Sequence, residues 1–255
     1  MAKQISLSNG RVWNTQKAAT DHFRTLRDRY PDGVPIEDAN DHSDLAALVE
    51  RFDAAHGENN SKAGAGIDHF EVRTNSGAGG ATRGFWAIRT DGSETDFSFI
   101  WAIRGEPKPL FQEFADACRA AVLSDIRTAK RAFFDEHADE LGFVECEISG
   151  DLLTFEEAHV DHADPTFSAL VIAFRVERGW HSEVPEGTLS DAADGQFTTT
   201  FASEEVAMAF RIAHYRNAKL RIISGPQNLS RSSSGANSSV KRPLTLVNPE
   251  EVNIG

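Results

Sequence analysis

The chain has 255 residues, of which 40% are hydrophobic, and a formal net charge of -13. This length suits one large domain or two small ones, and the acidic balance argues against a protein that coats nucleic acid. Because the chain has no run of about 18 apolar residues, no apolar signal segment at its N-terminus and no pattern in its two cysteines, we expect a reduced, cytoplasmic protein without a membrane span.

The charge is unevenly distributed along the chain. No Asp or Glu occurs from Val206 to Asn248, so the acidic body is followed by a basic C-terminal stretch. A solvated tail and a phosphate-facing patch are both consistent with this pattern, and charge alone favours the tail. The basic residues of this stretch are Arg211, Arg216, Lys219, Arg221, Arg231, Lys241 and Arg242.

The N-terminal part predicts two amphipathic helices followed by a small antiparallel sheet. Apolar residues at helical spacing predict helices over 14–30 and 41–56, separated by the turn segment PDGVP. The segment KAGAGIDHFEV leads from glycines into a strand. Asp91 and Gly92, between two β-rich runs, predict a hairpin turn.

The C-terminal part begins with a long helix and a second hairpin. Pro109 opens the helix, whose apolar stripe reaches about Leu141. The runs FVECEIS and LLTFEEAHV, on either side of Gly150 and Asp151, then predict two antiparallel strands.

Two shorter helices, a strand and a polar end follow. Asp164, before Pro165, is predicted to cap a helix, and residues 180–200 are predicted to form a polar loop. A helix from Ser203 to about Arg216 precedes the strand LRIIS, and the Ser-rich end of the chain predicts disorder. The fold class is therefore α+β.

We predict a division into an N-terminal α+β domain over 1–106, a long helix with a ββα-like domain over 107–232, and a disordered tail over 233–255.

The N-terminal motifs resemble those of the DCL family, named for plant "defective chloroplasts and leaves" proteins. The resemblance covers roughly residues 10–105 and implies a link to ribosomal RNA maturation, with no assigned chemistry. Most of the motif residues have structural uses, such as the turn at Asp91-Gly92. A phosphate-binding role for Lys62 and Arg89 is the alternative. The motif residues are Lys62, Gly64, Gly66 and Ile67; Arg89, Asp91 and Gly92; and Asp96, Phe97 and Ser98.

The stretch HVDHADP, residues 159–165, is the best candidate for catalytic chemistry. The sequence has no GxSxG elbow and no GxxxxGK[ST] phosphate loop, and nothing marks Cys146 as a nucleophile. Asp161 and His162 remain. In a regular strand they would face opposite ways, so a joint site requires the chain to leave strand geometry there.

An Asp-His pair after a hairpin, followed by KLRIISGPQNLSR, is similar to the HNH, or ββα-metal, nucleases. The resemblance implies Asp161 and Asn228 as ligands of Mg²⁺ or Mn²⁺ and His162 as the general base. His159 and His214 are auxiliary candidates. Lys219 stands where the family has its middle Asn, which is a departure from the pattern.

Many HNH domains also hold a structural zinc between two Cys-x-x-Cys pairs. The corresponding positions here are Cys146 and Ser149, then Ser224 and Gln227. One thiolate cannot hold structural Zn²⁺, so the resemblance implies a version without structural zinc.

Each candidate also has a simpler structural explanation. His159 would face solvent, His214 would be a surface histidine, and Asn228 would be an ordinary turn residue.

The leading hypothesis is a metal-dependent endonuclease acting on DNA or RNA, with no membrane partner. The alternative is a non-catalytic nucleic-acid or ribonucleoprotein module. The substrate-binding candidates are Lys62, Arg89, Lys219, Arg221 and Arg231, with Lys241 and Arg242 as further phosphate contacts.

Overall fold

The computed structural model describes residues 3–57, 61–77, 80–190, 199–230 and 240–252. These residues divide into two compact units, one within Met1–Gln112 and one within Glu113–Ser190 and Thr199–Gly255. Both combine helices with small antiparallel sheets, so the predicted α+β class is confirmed. Within the described ranges, no helix is long and apolar enough to cross a membrane.

The N-terminal unit has the two predicted helices and a three-stranded sheet in the order β3-β4-β5. Thr15 caps the first helix by accepting from the amide of Ala18, and Asp38 caps the second. Phe23, from the first helix, is buried in the core of this unit. The elements are β1 (Ile5–Ser6), β2 (Val12–Trp13), α1 (Gln16–Arg29), α2 (Ala39–His56), β3 (Ile67–Gly77), β4 (Gly80–Arg89), β5 (Glu94–Phe97) and α3 (Phe99–Arg104).

The turn between β4 and β5 is the predicted one. Gly92 has a φ of 82°, a left-handed conformation that favours glycine, and Asp91 accepts from the amide and hydroxyl of Ser93. Phe85 then pairs with Phe97 across the two strands. The local turn chemistry therefore sets the register of this hairpin.

The glycine-bearing segment before β3 is held by buried polar groups. Arg89 is 6% exposed and donates Nε to the carbonyl of Lys62 at 3.1 Å and Nη2 to that of Ser61 at 3.2 Å. Asp53 accepts from the amides of Lys62 and Ala63. This segment lies outside the strands, and its backbone is thus fixed from both sides.

The C-terminal unit is built on the long helix α4. It begins next to the predicted proline and ends at His137, earlier than predicted, before a turn in which Asp139 accepts from the amides of Leu141 and Phe143. The elements are α4 (Leu110–His137), β6 (Val144–Glu145), β7 (Leu152–Leu153), β8 (Ala158–His162), α5 (Phe167–Glu177), α6 (Glu204–Asn217), β9 (Leu220–Ser224), α7 (Gly225–Ser230) and α8 (Pro249–Val252).

Two apolar clusters stabilise this unit. One joins the C-terminal half of α4 to β8 and β9 through Phe133, Phe134 and Ile222, and the other joins α4 to α5 and α6 through Phe114 and Phe210. The strands and the helical pair therefore share α4 as a common support.

The cap of α5 differs from the prediction. Thr166, not Asp164, accepts the hydrogen bond from the amide of Ala169. Asp164 is exposed, two residues before the cap, so the helix begins later than the Asp-Pro pair suggested.

The prediction of disorder is wrong for residues 240–252. Leu244 is 6% exposed, and its amide donates to the carbonyl of Leu220 at 3.0 Å. The segment therefore lies beside β9 and ends in α8, because an apolar side chain and a free strand edge are both available there. The other residues of the predicted tail, 233–239 and 253–255, lie outside the described residues.

We predict that Gly64→Ala lowers the free energy of unfolding more than Gly92→Ala. Both glycines have positive φ, so each alanine carries about 1 kcal/mol of strain. A Cβ on Gly64 would also lie 2.5 Å from Arg89 Nε, whereas one on Gly92 meets nothing within 4 Å. We expect an added cost of about 1–2 kcal/mol for Gly64→Ala.

Urea unfolding followed by tryptophan fluorescence measures this difference, since Trp13, Trp86 and Trp101 all lie in the N-terminal unit. Equal midpoints for the two variants would contradict the role given to Arg89.

Candidate functional site

The candidate site lies on the antiparallel pair of β8 and β9. Asp161 stands opposite Arg221 and His162 opposite Leu220, and α7 follows β9 directly. In the chain, β8 is followed by the helices α5 and α6, and then by β9 and α7. Because β8 keeps regular pairing through His162, Asp161 and His162 face opposite sides of the sheet.

Asp161 is engaged by a buried arginine. Arg221 Nε donates to Asp161 Oδ2 at 2.9 Å, and the two side chains are 2% and 12% exposed, respectively. A charge this deeply buried requires its partner, because removing either one leaves an uncompensated ion. The carboxylate predicted to bind a metal thus has a fixed cationic partner.

His162 faces a second histidine. Its Nε2 lies 2.8 Å from Nε2 of His214, which comes from α6 and is 1% exposed. One ring donates its hydrogen and the other accepts it, so each imidazole satisfies the other. His214, predicted as an auxiliary or surface residue, is therefore buried and is the direct partner of the predicted base.

Burial keeps both imidazoles neutral. Desolvation, with smaller contributions from His214 and Arg119, lowers the pKa of His162 to about 3. Desolvation also lowers the pKa of His214 to about 4, against a smaller opposite effect of Asp125. The neutral state is what a general base requires, but the Nε2 atom of His162 is already hydrogen-bonded.

Three of the four positions that match the zinc pairs do come together. Cys146 Sγ accepts from the amide of Ser149 at 3.4 Å and from that of Ser224 at 3.3 Å. Burial would raise the pKa of this thiol, but the hydrogen bonds from Ser149 and neighbouring amides outweigh burial and lower it. Backbone amides thus surround the sulfur that the resemblance places at a zinc ligand position.

The other predicted residues are spread around this strand pair. His159 is exposed and lies near the start of α7, where its Nε2 is 3.3 Å from the position of a Cβ on Gly225. Asn228 is exposed on α7, and Lys219 is exposed just before β9. Arg231 lies outside the described residues.

Arg221 and Arg89, predicted to bind substrate, lie inside the protein rather than on its surface. Both are buried, with Arg221 on Asp161 and Arg89 on backbone carbonyls, so neither guanidinium can reach a phosphate. Lys62 is half-buried and its Nζ donates to Thr95 Oγ1 at 3.0 Å. The three residues instead support the structure around them.

The arrangement does not fit a site in which a divalent ion on Asp161 lies next to the predicted base His162. The two side chains lie on opposite faces, and Asp161 is paired with Arg221. Across the described residues, no group of three or more His, Cys, Asp or Glu side chains is placed to hold a metal.

Comparison with known proteins concerns the N-terminal part. Residues 24–103 match the model of DUF3223, a family described as a protein of unknown function. No curated protein matches the sequence. A solution NMR structure of an uncharacterized protein from Rhodospirillum rubrum is 29% identical, covering 40% of this chain and 90% of that one, with a TM-score of 0.34. The N-terminal part of the chain is therefore similar to the DUF3223 family over residues 24–103, and neither description states an activity.

We predict that Arg221→Met destabilises the protein by about 3–5 kcal/mol, since it leaves the Asp161 carboxylate buried without a partner. The double variant Asp161→Leu/Arg221→Met removes both charges and should recover most of that loss. Equilibrium urea unfolding of the wild type, both single variants and the double variant measures the coupling. Additive losses would show that the ion pair does not connect the strands.

We also predict that acid weakens the fold through the two histidines. Their folded pKa values, about 3 and about 4, lie below the ordinary value of 6.5, so the unfolded chain binds protons more readily. Stability should be full above about pH 6.5 and fall as the pH drops toward 4. Each tenfold change in proton affinity contributes about 1.4 kcal/mol.

Unfolding curves between pH 7.5 and about pH 4 test this linkage. His214→Gln, which keeps a hydrogen-bonding group beside His162, should flatten the profile. His181→Gln, which removes an exposed histidine of the same unit, should keep the wild-type profile. An unchanged profile in His214→Gln would refute the linkage.

Proposed function

We propose that the chain is a non-catalytic nucleic-acid-binding protein whose C-terminal unit binds phosphates along one basic edge. The observation that carries the proposal is the buried Asp161–Arg221 pair within a ββα arrangement. The arrangement supports the resemblance to nucleic-acid-processing domains, while the pair argues against their chemistry.

Two further observations support the resemblance. Helix α7 directly follows β9 and carries the exposed Asn228, in keeping with the HNH-like order. Cys146 and Ser224, which match positions in two different zinc pairs of that family, are in contact. These contacts support a local resemblance to such a domain.

Catalysis is disfavoured by the partners of the two central residues. A metal at Asp161 would have to displace Arg221 or share a carboxylate with 12% exposure. His162 would have to give up His214 before its Nε2 could take a proton from water. Both changes break buried polar contacts, each of which costs about 1–3 kcal/mol or more to lose.

The phosphate contacts are assigned to cations beside β9, which we call the basic edge: Arg216, Lys219, Lys241 and Arg242. Lys219 and Lys241 are exposed, and neither side chain forms an ion pair within the described residues. Arg216 is 66% exposed, with Glu250 at 4.0 Å, and Arg242 is partly engaged by Glu145. Because Leu244 pairs with Leu220, the segment that carries Lys241 runs along the strand that follows Lys219.

The acidic remainder of the chain restricts how nucleic acid could bind. With a net charge of -13, repulsion opposes wrapping, so a strand would be held along the basic edge alone. Such binding depends on released counterions and weakens steeply with salt.

A second candidate is the metal-dependent endonuclease, with Asp161 and Asn228 as ligands and His162 as the base. The ββα order and the exposure of Asn228 favour it. The two candidates differ in one measurable property, which is metal-dependent strand cleavage.

We expect the wild type to leave plasmid DNA and RNA uncut in Mg²⁺ or Mn²⁺. Metal-dependent cleavage that is lost in His162→Ala and in Asn228→Ala would establish the endonuclease instead. Asn228 is exposed, so its substitution tests the chemistry without disturbing the core.

We expect the wild type to bind a single-stranded oligonucleotide in a salt-dependent way. Lys219→Ala/Lys241→Ala should weaken binding and reduce the slope of log K against log salt by about 0.7 for each lost contact. Fluorescence anisotropy measures both quantities. Lys17→Ala, which removes an 85% exposed lysine of the N-terminal unit, is the matched control. Absence of binding, or equal loss in the control, would refute the basic edge.

A further inference from the structure

The N-terminal unit contains a polar cleft with a volume of about 570 Å³. This volume is typical of small-molecule sites. Its walls are polar and charged, and include Arg11, Arg29, His22, Asp41 and Asp44. They come from the segment after β1 and from α1 and α2, so the cleft is separate from the basic edge and its interpretation does not depend on the proposed function.

Two buried carboxylates line the cleft, one helical turn apart on α2. Asp44 accepts from Arg11 Nε at 3.1 Å and Nη2 at 3.0 Å, and lies 2.9 Å from Nε2 of His22. Asp41 accepts from Arg29 Nη1 and from the hydroxyl of Tyr30, both at 2.6 Å. Burial, together with the bond to Asp41, raises the pKa of Tyr30 to about 12, so this hydroxyl remains a donor.

The exposure of these pairs is asymmetric. The side chains of Asp41 and Asp44 are 7% and 3% exposed, whereas those of Arg29 and Arg11 are 54% and 50% exposed. The guanidinium groups of Arg11 and Arg29 are therefore more exposed in the cleft wall than Asp44 and Asp41, the carboxylates that fix their orientation. Arg11 uses Nε and Nη2 on Asp44, and Arg29 uses only Nη1 on Asp41. Each guanidinium has five N–H groups, so donors remain on both.

The chemistry offered to a ligand is that of an anion site. The two arginines balance Asp41 and Asp44, and the exposed Asp38 keeps its negative charge as the N-cap of α2, where it accepts from the amides of Asn40 and Asp41 at the positive end of the helix dipole. Oriented guanidinium forks match oxyanions with several acceptor oxygens, and two forks suit a doubly charged one.

We propose that this cleft binds a phosphate monoester, such as the 5′-phosphate of a mononucleotide. A phosphodiester has a single charge and fewer terminal oxygens, and satisfies two forks less well. Arg29, Asp41 and Asp44 lie within the region that matches DUF3223, residues 24–103, whereas Arg11 and His22 precede it. The complete site therefore requires the segment before that region.

Calorimetric titration of the full chain tests the proposal with inorganic phosphate, uridine 5′-monophosphate and uridine. We expect the two phosphates to bind and the nucleoside not to bind. Ser43→Glu places a negative charge on an exposed residue of the cleft wall and should weaken phosphate binding by about tenfold or more. Gln4→Glu adds the same charge at an exposed position outside the cleft and should bind as the wild type does.

Arg29→Lys tests whether the ligand needs the forked guanidinium group or only its positive charge. Lysine still neutralises Asp41, so the melting temperature should hold while the affinity for the monophosphate falls several-fold. The proposal is overturned if the wild type binds neither phosphate at about 10 mM, or if Ser43→Glu binds as tightly as Gln4→Glu. It is also overturned if uridine binds as well as its monophosphate.

An oligonucleotide without a terminal phosphate completes the test. The proposal fails if the wild type does not bind the monophosphate but Ser43→Glu weakens binding of the oligonucleotide. In that case the ligand of the cleft is a phosphodiester. If Lys219→Ala/Lys241→Ala loses the oligonucleotide but retains the monophosphate, the cleft is supported as a separate site.

Discussion

The pairing of β8 with β9 depends on one buried interaction, the ion pair between Asp161 and Arg221. A carboxylate and a guanidinium this far from water are stable only together, because either one alone would be an uncompensated charge. The pair therefore favours the register in which the two residues stand opposite each other. That register in turn directs His162 to the other face of the sheet, where His214 satisfies it. This register thus places the predicted metal ligand Asp161 and the predicted base His162 on opposite faces of the sheet.

Buried charge has a similar role in the N-terminal unit. Arg89 and Asp53 fix the irregular segment around Lys62, which lies outside the strands. Asp41 and Asp44 are also buried with their partners, but these partners are half-exposed arginines on the wall of a cleft. The difference is informative, since an arginine enclosed on all sides supports structure, whereas one fixed from behind retains donors for a ligand.

The sequence motifs and the functional groups therefore coincide less than expected. The residues that resemble the DCL family mainly shape a turn and a loop. In the HNH-like stretch, the expected metal ligand and base have protein partners. The groups left available for ligands are less distinctive in sequence, namely scattered lysines beside β9 and two arginines beside α2. The charged groups that are candidate binding sites here are those that are exposed and held in place by neighbouring residues. They do not belong to a recognisable sequence motif.

Local patterns determined the α+β class, the helices α1 and α2 of the N-terminal unit and the turn at Gly92, because helical period and turn chemistry are properties of neighbouring residues. Only the tertiary structure decided the partners. Asp161 and Arg221 are 60 residues apart and His162 and His214 are 52 apart, and no local pattern encodes which distant side chain meets which. Leu244 is a further example. It follows a Ser-rich stretch that predicts disorder, but in the structure it is buried beside the edge of β9. The sequence identifies the residues with charged or titratable side chains. The tertiary structure determines, through burial, which of these side chains remain accessible to a ligand.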